Sequence, residues 1–258
     1  MTPMFHFSDL YSYASHYEPT DLFDFLGNPQ LAEDYETNCL QLAFMPGAEE
    51  LDILEDIFWD YAEELGLAYY SFYLPENHGI PNELMAALES KNYQLASYQV
   101  FQSPANRRQS KEMQINWQEV TDEDSFQAYL DFQTPFDQPA PPALRDSRAL
   151  RYQMAYQNPW ISQSLAYQGD QLVATWDLID QGPFLEIDNL TVHPDYRRQG
   201  IASQIITLSQ EKAAPSAKPL LALADIENPS VALFEGLGFE ALSLVTRIHR
   251  PLDEADAL

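Results

Sequence analysis

Cysteine and long apolar runs are scarce in this sequence, and each scarcity excludes a class of protein. The single cysteine, Cys39, cannot form an internal disulfide or a cysteine-based metal cage, which favours a reducing, cytoplasmic environment. No stretch approaches the roughly 20 apolar residues that a membrane-spanning helix needs, and the first residues lack the pattern of a secretory signal. The five histidines show no ligand spacing such as His-x-x-x-His, so we expect no bound metal.

Basic residues are also few, because 13 Lys and Arg stand against 40 Asp and Glu, for a formal net charge of −27. Such a surface repels polyanions, so we expect neither nucleic acid nor a membrane as partner and favour cationic ligands. A simpler interpretation is that the excess of acidic residues only keeps the protein soluble. Lys91 is the only basic residue before Arg107. An anion site is therefore expected in the second half of the chain.

A polar stretch over residues 102–114 predicts a boundary between two domains, which we place at 1–105 and 112–252. With 45% apolar residues, a packed core is expected. After the boundary the pattern predicts the order β, α, loop, α, ββ, β, α, β, α, β. The loop is assigned to residues 134–147, because several prolines there lack amide donors and fix φ.

The two halves of the chain resemble each other. Residues 84–97 align without gaps with residues 230–243, and the strand-like segments LQLAFMP and AYYSFYLPEN match LTVHP and LLALADIEN. We interpret the first half as a degenerate copy of the second. Its segment GAEELDILED is acidic where the second half is basic, and would repel an anion.

The most informative segment is DYRRQGIASQ, residues 195–204. It lies between a strand that stops at Pro194 and a helix, so that unpaired amides and the positive helix end point to one spot. Gly200 lets the backbone approach a ligand closely, and the arginines add donors suited to phosphate. The pattern predicts a pyrophosphate site. The alternative is a surface helix start with two solvated arginines.

This segment resembles the hallmark of the GCN5-related N-acetyltransferase (GNAT) superfamily, Arg/Gln-x-x-Gly-x-Gly/Ala, present here as Arg197, Gly200 and Ala202. ENPSVALFEGLGF, residues 227–239, is similar to the second signature of the family, an Asn followed by a short helix that ends in Gly-Phe. The resemblance covers roughly residues 112–250. It implies the α/β (α+β) acyl-CoA N-acyltransferase fold, with a mixed central sheet flanked by helices, here in tandem with a degenerate copy.

The resemblance also implies acetyl-CoA as cosubstrate and assigns the residues that hold it. The hallmark turn would bind the pyrophosphate, the backbone of the preceding strand would pair with the pantetheine arm, and an amide near Val192 would polarise the thioester carbonyl where the strands splay. The implied cofactor-binding residues are Leu190, Val192, Arg197, Arg198, Gln199, Gly200, Ile201, Ala202, Asn228 and Phe234. Phe234 departs from the family pattern, because many members place there a tyrosine that protonates the departing thiolate.

Two carboxylates are the candidates for catalysis. Glu186 and Asp188 alternate on one strand and therefore project on the same face, where each can raise the pKa of the other. We favour Glu186 as the base that deprotonates the amine. The alternative is that the two carboxylates only bind a cationic substrate. The resemblance also implies that the loop with Phe136 and Asp137 forms part of the acceptor pocket. The alternative is a solvated connector.

The sequence thus predicts a cytoplasmic N-acetyltransferase that transfers an acetyl group from acetyl-CoA to a primary amine of a cationic small molecule or peptide. The alternative is a catalytically weak acetyl-CoA-binding or sensing module, which the absent tyrosine favours. The first half is compatible with either as an accessory, interacting domain. The acceptor and the oligomeric state stay open at this stage.

Overall fold

The computed structural model describes residues 5–103 and 115–252. The strands are β1 His16–Pro19, β2 Phe23–Gly27, β3 Cys39–Leu42, β4 Tyr69–Tyr73, β5 Gln94–Gln102, β6 Asn116–Glu119, β7 Ile161–Gln168, β8 Gln171–Asp180, β9 Leu185–Val192, β10 Leu220–Asp225 and β11 Glu240–Pro251. The α-helices are α1 Ala48–Leu65, α2 Asn82–Ser90, α3 Glu123–Asp137, α4 Pro142–Gln157, α5 Ile201–Ala213 and α6 Ser230–Gly236. From β6 onward the elements follow the predicted order, with the exception of the loop.

The chain divides into two compact units. The C-terminal unit contains Met1–Tyr11, Gln99–Pro141 and Ala149–Leu242, and the N-terminal unit contains Ser12–Tyr98, Pro142–Arg148 and Ser243–Leu258. The first described residues group with the C-terminal unit and most of β11 with the N-terminal one, and the boundary placed between 105 and 112 stays a prediction. The predicted linker, 102–114, falls almost entirely outside the described residues.

The sheet of the C-terminal unit has the strand order β10-β9-β8-β7-β6. β9 and β10 are parallel, as expected for strands joined by a crossover helix, here α5. The other neighbours are antiparallel, and β7 and β8 form the predicted hairpin around Gly169 and Asp170. The apolar face of α5 packs on this sheet through Ile201, Ile205 and Ile206, which are all buried. The sheet and this helix enclose the main core of the unit.

The N-terminal unit repeats the same plan. Its strand order is β1-β2-β3-β4-β11, in which β3 and β4 are parallel and joined by α1. The series β3-α1-β4-α2-β5 has the same element types and order as β9-α5-β10-α6-β11. The segments that the sequence aligned, 84–97 and 230–243, fall on the matching helix and strand of each series. The tandem arrangement predicted from the sequence is therefore confirmed.

The start of α1 differs from the start of α5 in one important contact. Glu50, the third residue of α1, accepts a 2.5 Å hydrogen bond at its carboxylate from the amide of Gly47 just before the helix. A carboxylate of the chain therefore caps this helix and opposes its positive end.

The prediction of a loop over residues 134–147 was wrong. α3 continues to Asp137 with Pro135 inside its last turn, and α4 starts at Pro142, so that only four residues, 138–141, connect the helices. Pro142 occupies the first helical position, where no amide donor is needed and the fixed φ suits a helix. Proline is thus compatible with both helix ends here.

Among residues 5–103 and 115–252, no helix is both long enough and apolar enough to cross a membrane.

Candidate functional site

A cavity of about 770 Å³ lies in the C-terminal unit, at the ends of β9 and β10 and the start of α5. Its lining consists of Phe136, residues 187–192, 196–198, 200–203, 223–225, 228–230 and 233–234. Both sequence signatures therefore contribute to one cavity, although about 30 residues separate them in the chain.

The cavity exists because β9 and β10 separate toward their ends. Their parallel pairing runs from Leu185 opposite Leu220 to Ile187 opposite Ala222. Beyond this point, residues of both strands line the cavity instead. Residues at the open ends of two parallel strands thereby line the cavity, and the binding of a pantetheine arm by β9 stays a prediction.

A β-bulge distorts β9 on its other side. Thr175 lies opposite Thr191 and Asp177 lies opposite Asp188, so that one more residue of β9 than of β8 fits between these pairs. Asn189, inside this stretch, has φ of 50°, in the left-handed region. A bulge of this kind takes a peptide out of the ladder and re-aims it. The bulged segment faces the cavity.

The predicted anion turn forms the opposite end of the cavity. Arg198 and Gly200 both have positive φ, 62° and 84°, and Gly200 is the residue before the first turn of α5. The side chain of Arg197 donates a 3.0 Å hydrogen bond from Nε to the carbonyl of Val192, which ties the turn to the end of β9. A Cβ on Gly200 would approach no atom closer than Gln204 Nε2 at 4.0 Å, so the space in front of this residue is open.

Eleven of the fourteen residues predicted for the site line the cavity. Glu186, Gln199 and Asp137 are the three that do not. The amide of Gln199 donates from Nε2 to the carbonyl of Asp195 at 3.1 Å. Sequence reasoning missed Asn189, Thr191 and Ser203, although their neighbours in each signature were named.

The two candidate carboxylates occupy different environments. Asp188 lines the cavity, whereas Glu186 is only 6% exposed and Oε2 accepts hydrogen bonds from the amide of Tyr11 at 2.8 Å and from Gln181 Nε2 at 3.3 Å. Burial, with the nearby Asp188 carboxylate as a second cause, raises the pKa of Glu186 to about 8. Asp188 thus contributes to the raised pKa of Glu186, but only Asp188 lines the cavity.

Phe136 and Asp137 also separate. Phe136 lines the cavity near Phe132, whose ring centroid lies 5.6 Å from its own. Asp137 is buried and accepts a 3.1 Å hydrogen bond from the hydroxyl of Tyr152. Consecutive residues of a helix point in different directions, and these two belong to α3 and not to a loop.

The residues of the second signature are held tightly. The Oδ1 atom of Asn228 accepts a 3.0 Å hydrogen bond from the amide of Ser230 at the start of α6. Phe234 is buried and packs against Phe101 and Phe239, with ring centroids 5.4 Å and 5.1 Å away. In the part of the chain that the structure describes, no group of three His, Cys, Asp or Glu side chains is placed to hold a metal ion.

Residues 160–241 match the family described as the acetyltransferase (GNAT) domain. Over these residues the match supports the resemblance to the GNAT superfamily that the sequence indicated. The matched residues contain the bulged strand, the anion turn and the helix that carries Phe234. Residues 5–101 match a second family, described as a domain of unknown function (DUF5613). A search of curated proteins finds no significant match.

Two solved structures share the fold of this chain over nearly its whole length. A functionally unknown conserved protein from Staphylococcus epidermidis is 18% identical, with a TM-score of 0.86, over 95% of this chain and 97% of its own. A GCN5-related N-acetyltransferase from Kribbella flavida is 12% identical, with a TM-score of 0.61, over 94% and 92% of the two chains. At these identities the likeness concerns the fold alone.

Proposed function

We propose that the C-terminal unit binds acetyl-CoA in the cavity and transfers its acetyl group to a primary amine of a cationic small molecule or peptide. The observation that carries this proposal is the single cavity that joins the anion turn to the bulged strand and to Asp188. The match of residues 160–241 to the GNAT domain supports the reaction class, and the net charge of −27 favours a cationic acceptor.

The anion turn fits the pyrophosphate of acetyl-CoA. The first amides of α5 have no partner within the helix, and the helix dipole favours negative charge at this end. Gly200 and Ala202 keep the backbone accessible, since neither carries a long side chain into the cavity. Arg198, which also lines the cavity, adds a permanent positive charge.

The end of β9 would hold the pantetheine arm and the acyl group. Main-chain groups of Leu190 and Val192, which line the cavity, are the proposed partners of the pantetheine amides. Acetyl-CoA supplies the activated acyl group when bound. An amide of the bulged segment would then donate to the carbonyl oxygen on which charge develops, the interaction that contributes most in acyl transfer.

The carboxylates would prepare the acceptor. Asp188 and Phe136 line the cavity. Asp188 would contact the ammonium group of the acceptor, and Phe136 would pack against its apolar part. The amine must lose a proton before it attacks, and Glu186, whose pKa of about 8 suits a base near neutral pH, is the proposed acceptor of that proton through Asp188 or water.

Phe234 favours a second candidate, a sensing module that binds acetyl-CoA with little turnover. Its ring is buried between two other phenylalanines and offers no hydroxyl to protonate a departing thiolate. A thiol with an ordinary pKa of about 8.5 is a fair leaving group without such help, which keeps the enzyme as our first choice.

The test is thiol release from acetyl-CoA with a panel of polyamines, aminoglycosides and peptide amines. We expect release with one class of amine, loss of release in Gly200→Glu, and a strong reduction in Asp188→Asn with unchanged acetyl-CoA affinity. No release with any amine, together with calorimetric binding of one acetyl-CoA, would place the sensing module first. No binding at all would reject both functions.

A further inference from the structure

The left-handed conformation of Asn189 is costly for a residue with a side chain, so other contacts must stabilise it. Two kinds of contact do so. The side-chain amide of Asn189 donates a 2.7 Å hydrogen bond to Asp177 Oδ2, and its main-chain carbonyl accepts a 3.3 Å hydrogen bond from Gln133 Nε2. Both the side chain and the backbone of the bulged residue are therefore held.

Asp177 is the centre of this arrangement. It is fully buried on β8, and its Oδ1 atom accepts a 2.8 Å hydrogen bond from the hydroxyl of Tyr129 on α3. Each carboxylate oxygen thus has one donor, from a different element. Burial raises the pKa of Asp177 to about 7. Burial of a carboxyl group costs free energy of folding, which its hydrogen bonds must offset.

Gln133, on the same helix as Tyr129, connects the network to both strands. Its Nε2 atom lies 3.0 Å from Thr175 Oγ1 on β8, and its Oε1 atom accepts a 3.3 Å hydrogen bond from Thr191 on β9. These two threonines form the pair that precedes the bulge. Helix α3 therefore contacts the residues on both sides of the bulge through the buried side chains of Tyr129 and Gln133.

We propose that Asp177, Tyr129 and Gln133 are positioning residues that hold Asn189 in its left-handed conformation and thereby aim a bulged amide of β9 at the acyl carbonyl. The inference rests on the proposed function, because it assumes that the acyl group lies at the bulge. None of the three side chains lines the cavity, so their effect passes through Asn189.

Substitutions at Asp177 separate hydrogen bonding from charge. An asparagine at this position can still accept from Asn189 and can donate to the Tyr129 hydroxyl, which then reverses its role. Asp177→Asn should therefore preserve the bulge. Asp177→Ala removes both contacts and leaves the buried Tyr129 hydroxyl and the half-buried Asn189 amide without this acceptor, so the bulge should lose its conformation. Tyr129→Phe removes one contact and keeps the packing of the ring.

The experiment compares the affinity of acetyl-CoA with that of S-ethyl-CoA, a thioether that lacks the carbonyl oxygen, by calorimetry. A positioned amide should make wild type bind acetyl-CoA about fivefold more tightly, the usual net contribution of one hydrogen bond. We expect this ratio to survive in Asp177→Asn and to approach one in Asp177→Ala. Tyr129→Phe should lower the ratio even if the alanine variant fails to fold. The affinity for S-ethyl-CoA should be unchanged.

The outcomes distinguish the two proposals. Equal affinities of wild type for both molecules, or a wild-type ratio in folded Asp177→Ala and in Tyr129→Phe, would overturn the positioning role and leave acetyl-CoA binding intact. An equal loss of the affinity ratio in Asp177→Asn and Asp177→Ala would also overturn it. The charge of Asp177, and not its hydrogen bonds, would then hold the bulge. Failure of wild type to bind either molecule would overturn the proposed function and this inference together.

Discussion

The main-chain amide of Tyr11 donates a 2.8 Å hydrogen bond to Oε2 of Glu186, a residue 175 positions later in the chain. The segment that ends at Tyr11 belongs to the C-terminal unit, where Phe5 also packs against Phe184 and Leu221. A short stretch from the start of the chain therefore helps to bury the carboxylate that we propose as base.

The buried Glu186 should make the protein less stable as the pH rises. Its pKa is about 8 in the folded chain and about 4.3 when unfolded, so that the folded state binds the extra proton between these values. The stabilisation that this proton provides is complete below about pH 4.3 and is lost as the pH rises to about 8. Glu186→Gln should therefore show a flatter dependence than wild type in urea unfolding between about pH 5.5 and 8.

The exposed Glu227, on the same unit, provides the control for this measurement. Glu227→Gln should retain the wild-type pH dependence of the free energy of unfolding. An identical slope in Glu186→Gln and wild type would show that Glu186 titrates in the folded protein as it does in the unfolded chain.

Gly200→Glu should abolish acetyl-CoA binding, because it places bulk and negative charge against the proposed pyrophosphate. Gly182 has the same φ of 84° and, like Gly200, open space around its absent Cβ, but it does not line the cavity. Gly182→Glu should lose about 1 kcal/mol of stability to the backbone conformation and keep full affinity in calorimetry. Retained binding in Gly200→Glu would remove the site from this turn.

The elements that the sequence predicted well are those with a local cause. The helix from Ile201 follows from the spacing of its apolar residues, and β10 follows from its continuous apolar run. The turn before α5 was predictable because glycine and arginine lie within a few residues of each other, and its role as an anion site stays a prediction. A feature that depends on one short segment can be predicted from the sequence without knowledge of the fold.

The parts that escaped prediction depend on distant residues. Nothing in the neighbourhood of Asn189 indicates a bulge, because the side chains that hold it come from α3 and β8. The burial of Glu186 requires an amide from the opposite end of the sequence. The loop over 134–147 failed for another reason, since proline at a helix end costs far less than proline in a helix centre.

A buried ion pair stabilises the N-terminal unit. Glu55 on α1 accepts hydrogen bonds at Oε1 from Arg250 Nε and NH2 at 3.2 Å and 3.1 Å, and both residues are less than 9% exposed. Arg250→Met should cost about 2 kcal/mol in urea unfolding, because the buried Glu55 carboxylate loses both hydrogen bonds from Arg250 and keeps those from Lys91 and Tyr93. Lys212→Met, which breaks a partly exposed pair with Glu119, should cost below about 1 kcal/mol. Equal costs would contradict the assigned difference in burial.

His249 should make the protein sensitive to acid. Burial, and then the neighbouring Arg247, lowers the pKa of this imidazole to about 4. The unfolded chain gains its proton first as the pH falls below about 6.5, so stability decreases between that pH and 4. His249→Phe keeps the ring that stacks on Tyr35 at 4.0 Å and should lose less stability between about pH 7 and 5 than wild type. The exposed His16→Gln should behave as wild type, and so would His249→Phe if the imidazole titrated normally.

The carboxylate of Glu50 at the start of α1 marks a difference in charge between the helix starts of two similar repeats. The corresponding third residue of α5 is Ser203, which is small, uncharged and part of the cavity lining. The first repeat thus carries at its helix start the negative charge that the helix dipole favours. If acetyl-CoA binds as we propose, its pyrophosphate supplies that charge in the second repeat, and one residue then separates a helix start that binds a ligand from one that the chain itself caps.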